Sequence, residues 1–159
     1  MTATRDLDIL VVGGGSWGTA LAVILAELGR KVRIWVRRPE QAEELNTKHT
    51  NSRYLPGFTL PANLVASADL EASVRAAQVI LVAVPSRHFR ATARAIGAHL
   101  AGDQIIVHAT KGIEIDSFNR MSEVLREETC ALKIGVLSGP NLAKEIMAGH
   151  PAGALVASR

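Results

Sequence analysis

The sequence predicts an α/β fold, a doubly wound and mostly parallel sheet, in a single domain over residues 1–159. Three observations carry that expectation. Short aliphatic runs alternate with helix-forming segments along the whole chain, the pattern of successive right-handed βαβ units. The first such run turns directly into a glycine-rich stretch with an apolar helical segment behind it. The composition is 48% hydrophobic yet only 4% aromatic, so the core must be aliphatic, as parallel sheets covered on both faces prefer.

Ile9 to Val12 reads as a buried strand, and Gly13, Gly15 and Gly18 behind it give the spacing G-x-G-x-x-G. Gly13 suits the tight turn, Gly15 the close approach of backbone to a pyrophosphate, and Gly18 the close packing of helix on strand. The helix should run from about Ser16 to Leu28 and end at Gly29. Free N–H groups of its first turn, from Ser16 onward, would face bound phosphates. This is the arrangement of a Rossmann-type dinucleotide site.

Lys31 to Val36 predicts a second strand, closed by Arg37 and Arg38. In such folds an acid roughly 20 residues past the glycines takes the ribose hydroxyls, whereas an arginine accommodates a 2′-phosphate. Arg37 and Arg38 hold that place and the first acid, Glu40, follows Pro39. The expected cofactor is therefore NADP(H), preferred or alongside NAD(H); the competing reading makes both arginines solvated surface.

Pro39 to His49 predicts a short polar helix and Asn51 to Gly57 a loop. Leu64 to Ala66 should form a strand, Asp69 to Ala77 a helix capped near Asp69, and Val79 to Val84 a central strand stopped by Pro85 and Ser86. Next come a helix over His88 to Leu100 and a strand over Gln104 to Ala109, which delivers Thr110, Lys111 and Gly112 to its carboxyl end. Asp116 and Ser117 signal the start of a helix to Glu127, with Phe118, Met121 and Leu125 at helical spacing. Lys133 to Leu137, Leu142 to Met147 and Gly153 to Ala157 complete the pattern as strand, helix and strand.

Composition narrows the function. A net charge of +3 with scattered basic residues offers no nucleic-acid stripe. The single cysteine, Cys130, rules out a disulfide framework, and the histidines His49, His88, His99, His108 and His150 show no metal-ligand spacing, so no metal is expected. Asp6 and Asp8 interrupt the place where a signal peptide's apolar run would begin, and no run approaches the ~18 residues of a membrane span. The expectation is a soluble cytoplasmic protein.

Ligands of such sheets bind outside the carboxyl ends of the strands. The glycine turn, Arg37 and Arg38, Pro85 and Ser86, Lys111, and Ser138 to Asn141 are all expected on that rim. Lys111 there would polarise a carbonyl or hold a phosphate, unless it is ordinary surface. His108, inside a strand, reads as a satisfied core residue, and no G-x-S-x-G elbow supports a nucleophilic serine.

The runs Gly13 to Ala22, Asn51 to Pro56 (N-S-R-Y-L-P), Val84 to Arg90 (V-P-S-R-H-F-R), Ala109 to Glu114 (A-T-K-G-I-E) and Leu137 to Ile146 (L-S-G-P-N-L-A-K-E-I) resemble, in order, the NAD(P)-dependent glycerol-3-phosphate dehydrogenases. The resemblance implies reversible reduction of dihydroxyacetone phosphate to sn-glycerol 3-phosphate, a precursor of glycerophospholipids. It implies cofactor contacts at Ser16, Trp17, Arg37 and Arg38, with Tyr54 and Ala143 beside the cofactor. Lys111 would touch cofactor and substrate, and Gly139 and Asn141 would border the substrate. Asn141 departs from the family's usual Ser or Thr, though an amide still donates and accepts hydrogen bonds. The family continues into a helical C-terminal substrate domain carrying the general-base lysine, which would lie beyond Arg159. The chain is thus expected to be the cofactor domain alone, inactive by itself, with a homodimer left open for the full-length form. Other NADP-dependent reductases (β-hydroxyacid dehydrogenase, ketopantoate reductase) lack the A-T-K-G and S-G-P runs. A nucleotide-sensing module or a methyltransferase would place an acid near Arg37.

Overall fold

In the computed structural model, which describes residues 7–158, strands and helices alternate as β1 (Ile9–Val12), α1 (Ser16–Glu27), β2 (Val32–Trp35), α2 (Pro39–Thr47), β3 (Val65–Ser67), α3 (Leu70–Ala76), β4 (Val79–Val82), α4 (Ser86–Gly97), β5 (Ile105–His108), α5 (Met121–Glu128), β6 (Lys133–Ser138), α6 (Ala143–Met147) and β7 (Leu155–Ser158). Asp6 and Arg159, used in the sequence argument, lie outside the described residues. The strands form one sheet in the order β3-β2-β1-β4-β5-β6-β7. Strand order reverses between β1 and β4, so the crevice outside their carboxyl ends is where a ligand enters such a sheet.

Alternate residues of each buried strand feed opposite faces. Leu10, Val12, Ile80, Val82 and Ile106 pack under α3, α4 and α5, against Val74, Phe89, Ile96 and Leu125. Val11, Ile34 and Leu81 pack under α1, α2 and α6, against Leu21, Val23 and Leu45, with Met147 at the margin. Both cores are aliphatic, with Phe89 the one aromatic ring fully buried among the described residues.

The turn from β1 into α1 is set by close packing. A Cβ on Gly18 would stand 1.9 Å from the Gly13 carbonyl oxygen. Gly13 itself has φ +120°, where L side chains are strained. The expected cap at Asp69 is present, its carboxylate accepting from Ala72 N–H at 3.0 Å. No helix among the described residues is long and apolar enough to cross a membrane.

Three expectations are corrected. α5 starts at Met121 rather than Ser117: the Ser117 hydroxyl donates to Glu114 Oε2 at 2.5 Å instead of capping a helix. Phe118 consequently sits in a loop, at φ +59° and 75% exposed, rather than on a buried helix face. Strand β7, antiparallel to β6 with Ser138 opposite Leu155, is compatible with the expected, mostly parallel sheet. Finally, His108 is buried but not satisfied, since neither ring nitrogen has a hydrogen-bond partner among the described residues. Its ring meets Phe89 edge-on at 5.6 Å, and burial pushes its pKa down, opposed by the nearby Thr110 backbone.

The loop before α5 is held by an ion network. Arg90 donates from Nε and Nη2 to both oxygens of Glu114 at 2.7 and 2.6 Å, from Nη1 to Glu128 and from Nη2 to Glu127. Arg94 adds a 2.8 Å contact to Glu128. The guanidinium of Arg90 and the Ser117 hydroxyl hold the Glu114 carboxyl at about 2; Arg94 and Arg90 do the same for Glu128.

Two outcomes follow from these contacts. Gly18→Ala forces the Gly13 carbonyl aside and should lower unfolding free energy by about 1–3 kcal/mol, read from the denaturant midpoint. Glu114 and Glu128 titrate near 2 in the folded chain against 4.5 when free. Their contribution is therefore complete above pH 4.5 and lost as pH falls through 2. The melting temperature of Arg90→Met should fall less steeply than wild type between pH 5 and pH 2.5; parallel curves would remove the network from the account.

Candidate functional site

Two adjoining clefts open along the carboxyl edge of the sheet and share Gly15, Ala83, Val84 and Pro85. The first, about 360 Å³, runs from Gly13, Gly14 and Gly15 past Trp35 to Arg37 and Arg38, with Tyr54 on its wall. The second, about 420 Å³, is lined by Ser16, Trp17, Thr110, Lys111, Asn141 and Ala143 among others. Strand β4 ends at Val82, two residues short of the sequence expectation, and Ala83 and Val84 form the ridge between the clefts. Helix α4 starts right after Pro85, two residues earlier than expected.

The turn is held from behind. Gln41 Nε2 and Asn51 Nδ2 both donate to the Gly14 carbonyl, at 2.7 and 3.1 Å. Asn51 is fully buried and also donates to Thr19 Oγ1 at 2.8 Å. A Cβ on Gly14 would meet Val36 Cγ1 at 2.4 Å and Gln41 Nε2 at 2.7 Å, so the middle glycine of the run is tightly fitted too. Gly15, by contrast, has nothing within 4 Å of where its Cβ would stand, an open approach that a bound group can occupy. Helix α1 begins there with no side-chain cap and no acid in its first turn, which leaves its N–H groups for an anion.

Lys111 is exposed at the end of β5, and its Nζ donates to the Gly139 carbonyl at 2.9 Å. Thr110 anchors this segment through a 2.7 Å bond to the Val84 carbonyl. Asn141 donates from Nδ2 to the Gly153 carbonyl at 2.8 Å, tying the turn after β6 to the approach of β7. Among the described residues lining the second cleft, Lys111 is the one titratable side chain. No group of three His, Cys, Asp or Glu that could hold a metal exists among the described residues.

The clefts bring together Gly13, Gly15, Ser16, Trp17, Arg37, Arg38, Tyr54, Pro85, Lys111, Asn141 and Ala143. Gly18 and Gly139 line neither: the first is buried at the helix–strand contact, and the second reaches the site through the Lys111 ammonium. Sequence reasoning missed Gln41 and Asn51 behind the turn, and Arg53, Arg87 and His88 in the first cleft. Asn51 opens the N-S-R-Y-L-P run, so its position was visible though its buried amide was not.

Known proteins share the sequence and the fold of this chain. The family described as NAD-dependent glycerol-3-phosphate dehydrogenase N-terminus matches residues 8–159. The glycerol-3-phosphate dehydrogenase (NAD(P)+) of Acinetobacter baumannii strain SDF is 51% identical over 152 residues, 96% of this chain and 42% of that protein. The chain thus spans less than half the length of that curated relative. Among solved structures, the glycerol-3-phosphate dehydrogenase of Coxiella burnetii superposes with a TM-score of 0.90 at 36% identity, over 96% of this chain and 47% of that one. The Saccharomyces cerevisiae enzyme gives 0.88 at 31%, over 97% and 48%. With the matched residues spanning β1 to β7, the chain belongs to the NAD-dependent glycerol-3-phosphate dehydrogenase family, in the N-terminal portion that this family description covers.

Proposed function

We propose that this chain is the cofactor-binding part of an NAD(P)-dependent glycerol-3-phosphate dehydrogenase, acting on dihydroxyacetone phosphate and sn-glycerol 3-phosphate. The observation that carries the reading is the pair of clefts meeting at Gly15, one arginine-lined and one ending at Lys111. The residues fit an extended dinucleotide. Gly13, Gly15 and the uncapped start of α1 would face its pyrophosphate, Arg37 and Arg38 its adenosine end, and Ser16, Trp17, Pro85 and Ala143 its other half. When bound, the nicotinamide supplies or takes up a hydride.

The chain's own residues prepare the second cleft for an anionic carbonyl substrate. The Gly139 carbonyl holds the Lys111 ammonium at the edge of the cleft, and Asn141 fixes the turn that carries that carbonyl. An ammonium so placed stabilises negative charge on a substrate oxygen and can return a proton to it. Gly139 and Asn141 would border the substrate on the same side. Localisation in the cytoplasm and dimerisation of a longer form belong to the same proposal.

NADPH should bind at least as well as NADH. Arg37→Asp should reverse the preference by about one to two decades, because a charge-assisted hydrogen bond to phosphate becomes a repulsion. Fluorescence titration with both cofactors checks this, and an unchanged ratio returns the arginines to plain surface.

Lys111 cannot both hold a phosphate dianion and protonate an alkoxide, and no second titratable group lines its cleft among the described residues. The 159-residue chain should therefore bind NADPH without oxidising it when dihydroxyacetone phosphate is added, as followed by absorbance. In a chimera with the remainder of the Acinetobacter baumannii relative, Lys111→Ala should cut kcat about hundredfold or more with an unchanged melting temperature. Normal turnover with lost thermal stability would make Lys111 a structural residue.

A further inference from the structure

The first cleft holds more positive charge than a single ribose phosphate at Arg37 and Arg38 would require. Arg37, Arg38, Arg53 and Arg87 all line it, together with His88, and no Asp or Glu does. They come from separate places in the chain: the end of β2, the loop after α2, and the first turn of α4. None of the four makes an ion pair among the described residues. Four unpaired guanidiniums around one opening repel one another, so the arrangement gains when a multiply charged anion sits among them.

Two of the four are already held in place. The Arg53 guanidinium lies over the Tyr54 ring at 5.5 Å, a cation–π contact that limits its rotamers. Arg87 donates from Nε to His88 Nε2 at 3.1 Å, which leaves its Nη groups for another acceptor. Arg38 Nη2 reaches Gln41 Oε1 at 3.4 Å, a long contact that holds it only loosely. Helix α4 starts beside Arg87 with no side-chain cap and no acid in its first turn, which adds to the local positive potential.

Resting on the dinucleotide reading above, we propose that Arg53 and Arg87 form a second wall that closes on the 2′-phosphate of NADP(H) from the side opposite Arg37 and Arg38, so cofactor choice is decided across the cleft and not at the end of β2 alone. A phosphate monoester offers three oxygens at nearly two negative charges, enough acceptors for guanidiniums on both walls. The ribose hydroxyl of NAD(H) offers neither, so the second wall acts on NADPH and leaves NADH untouched.

The test is calorimetric titration of the 159-residue chain with NADPH, NADH and 2′,5′-ADP. Arg87→Met and Arg53→Met keep apolar stems on exposed side chains, so both variants should fold, as far-UV dichroism verifies. Each should weaken NADPH and 2′,5′-ADP about tenfold, with NADH changed less than twofold, and the double variant more than either. Arg75→Met, on α3 and paired with Glu71, removes the same charge away from the cleft and should change none of the three. Equal weakening of NADPH and NADH, or an unchanged ratio, overturns the second wall. If wild type binds neither dinucleotide yet binds 2′,5′-ADP in an Arg87-dependent way, the dinucleotide reading fails and the clamp stands. No binding of 2′,5′-ADP to wild type overturns the clamp itself.

Discussion

Everything at the ligand edge depends on how closely α1 approaches the turn that leaves β1. The Gly13 carbonyl stands where a Cβ on residue 18 would be, so only a bare Cα lets the helix begin so near the sheet. That approach fixes the position of the helix's uncapped N–H groups. The Gly14 carbonyl is then turned inward and held by Gln41 and Asn51. Peptide planarity does the rest: in a trans peptide the Gly15 N–H points opposite to the Gly14 carbonyl, away from Gln41 and Asn51. A buried asparagine 37 residues away thus helps to aim a backbone donor outward.

The parts legible in the sequence are those whose cause is local. The glycine spacing, the aliphatic runs and Asp69 at a helix start each act through neighbours within a few residues. What escaped detection depends on partners far along the chain. Asp116 and Ser117 form a sound helix-start signal, but the Ser117 hydroxyl goes to Glu114, whose carboxylate is held by Arg90 from another helix. The direction of β7 depends on the path of the whole connection from β6, which periodicity does not weigh. His108 alternates correctly into the core, yet alternation says nothing about whether its nitrogens find partners. At the site, Arg37 and Arg38 were found because the glycines fix how far downstream to look. Arg53 and Arg87 join them only through tertiary structure.

Lys111 and Asn141 show how the second cleft is assembled from strand ends. Thr110 is tied to Val84 just past the end of β4, Lys111 to Gly139, and Asn141 to Gly153. Each bond links the end of one strand to the turn of the next, so the positions of these side chains depend on the register of β4, β5, β6 and β7 together. The family resemblance of the sequence implies a hydroxyl at position 141. The longer amide of asparagine spans to the Gly153 carbonyl from this turn, which gives it a positioning task alongside any contact with substrate.

Helix α4 puts one residue type to two opposite uses within a single turn. Arg87 and Arg90 are three apart and neighbours on the helix surface. Arg90 spends its Nε, Nη1 and Nη2 on three carboxylates and so clamps the loop that follows Lys111 and Gly112. Arg87 lies at the cleft, where no acid lines the wall. The difference matters because an arginine already paired with a carboxylate must break that pair before it can take a phosphate, and the exchange cancels most of the gain. Leaving the cleft arginines without acidic partners keeps their full charge available to a ligand, while the carboxylates that could have quenched them are gathered around Arg90 and Arg94. Keeping acids off the wall of the first cleft is what leaves that wall receptive to phosphate.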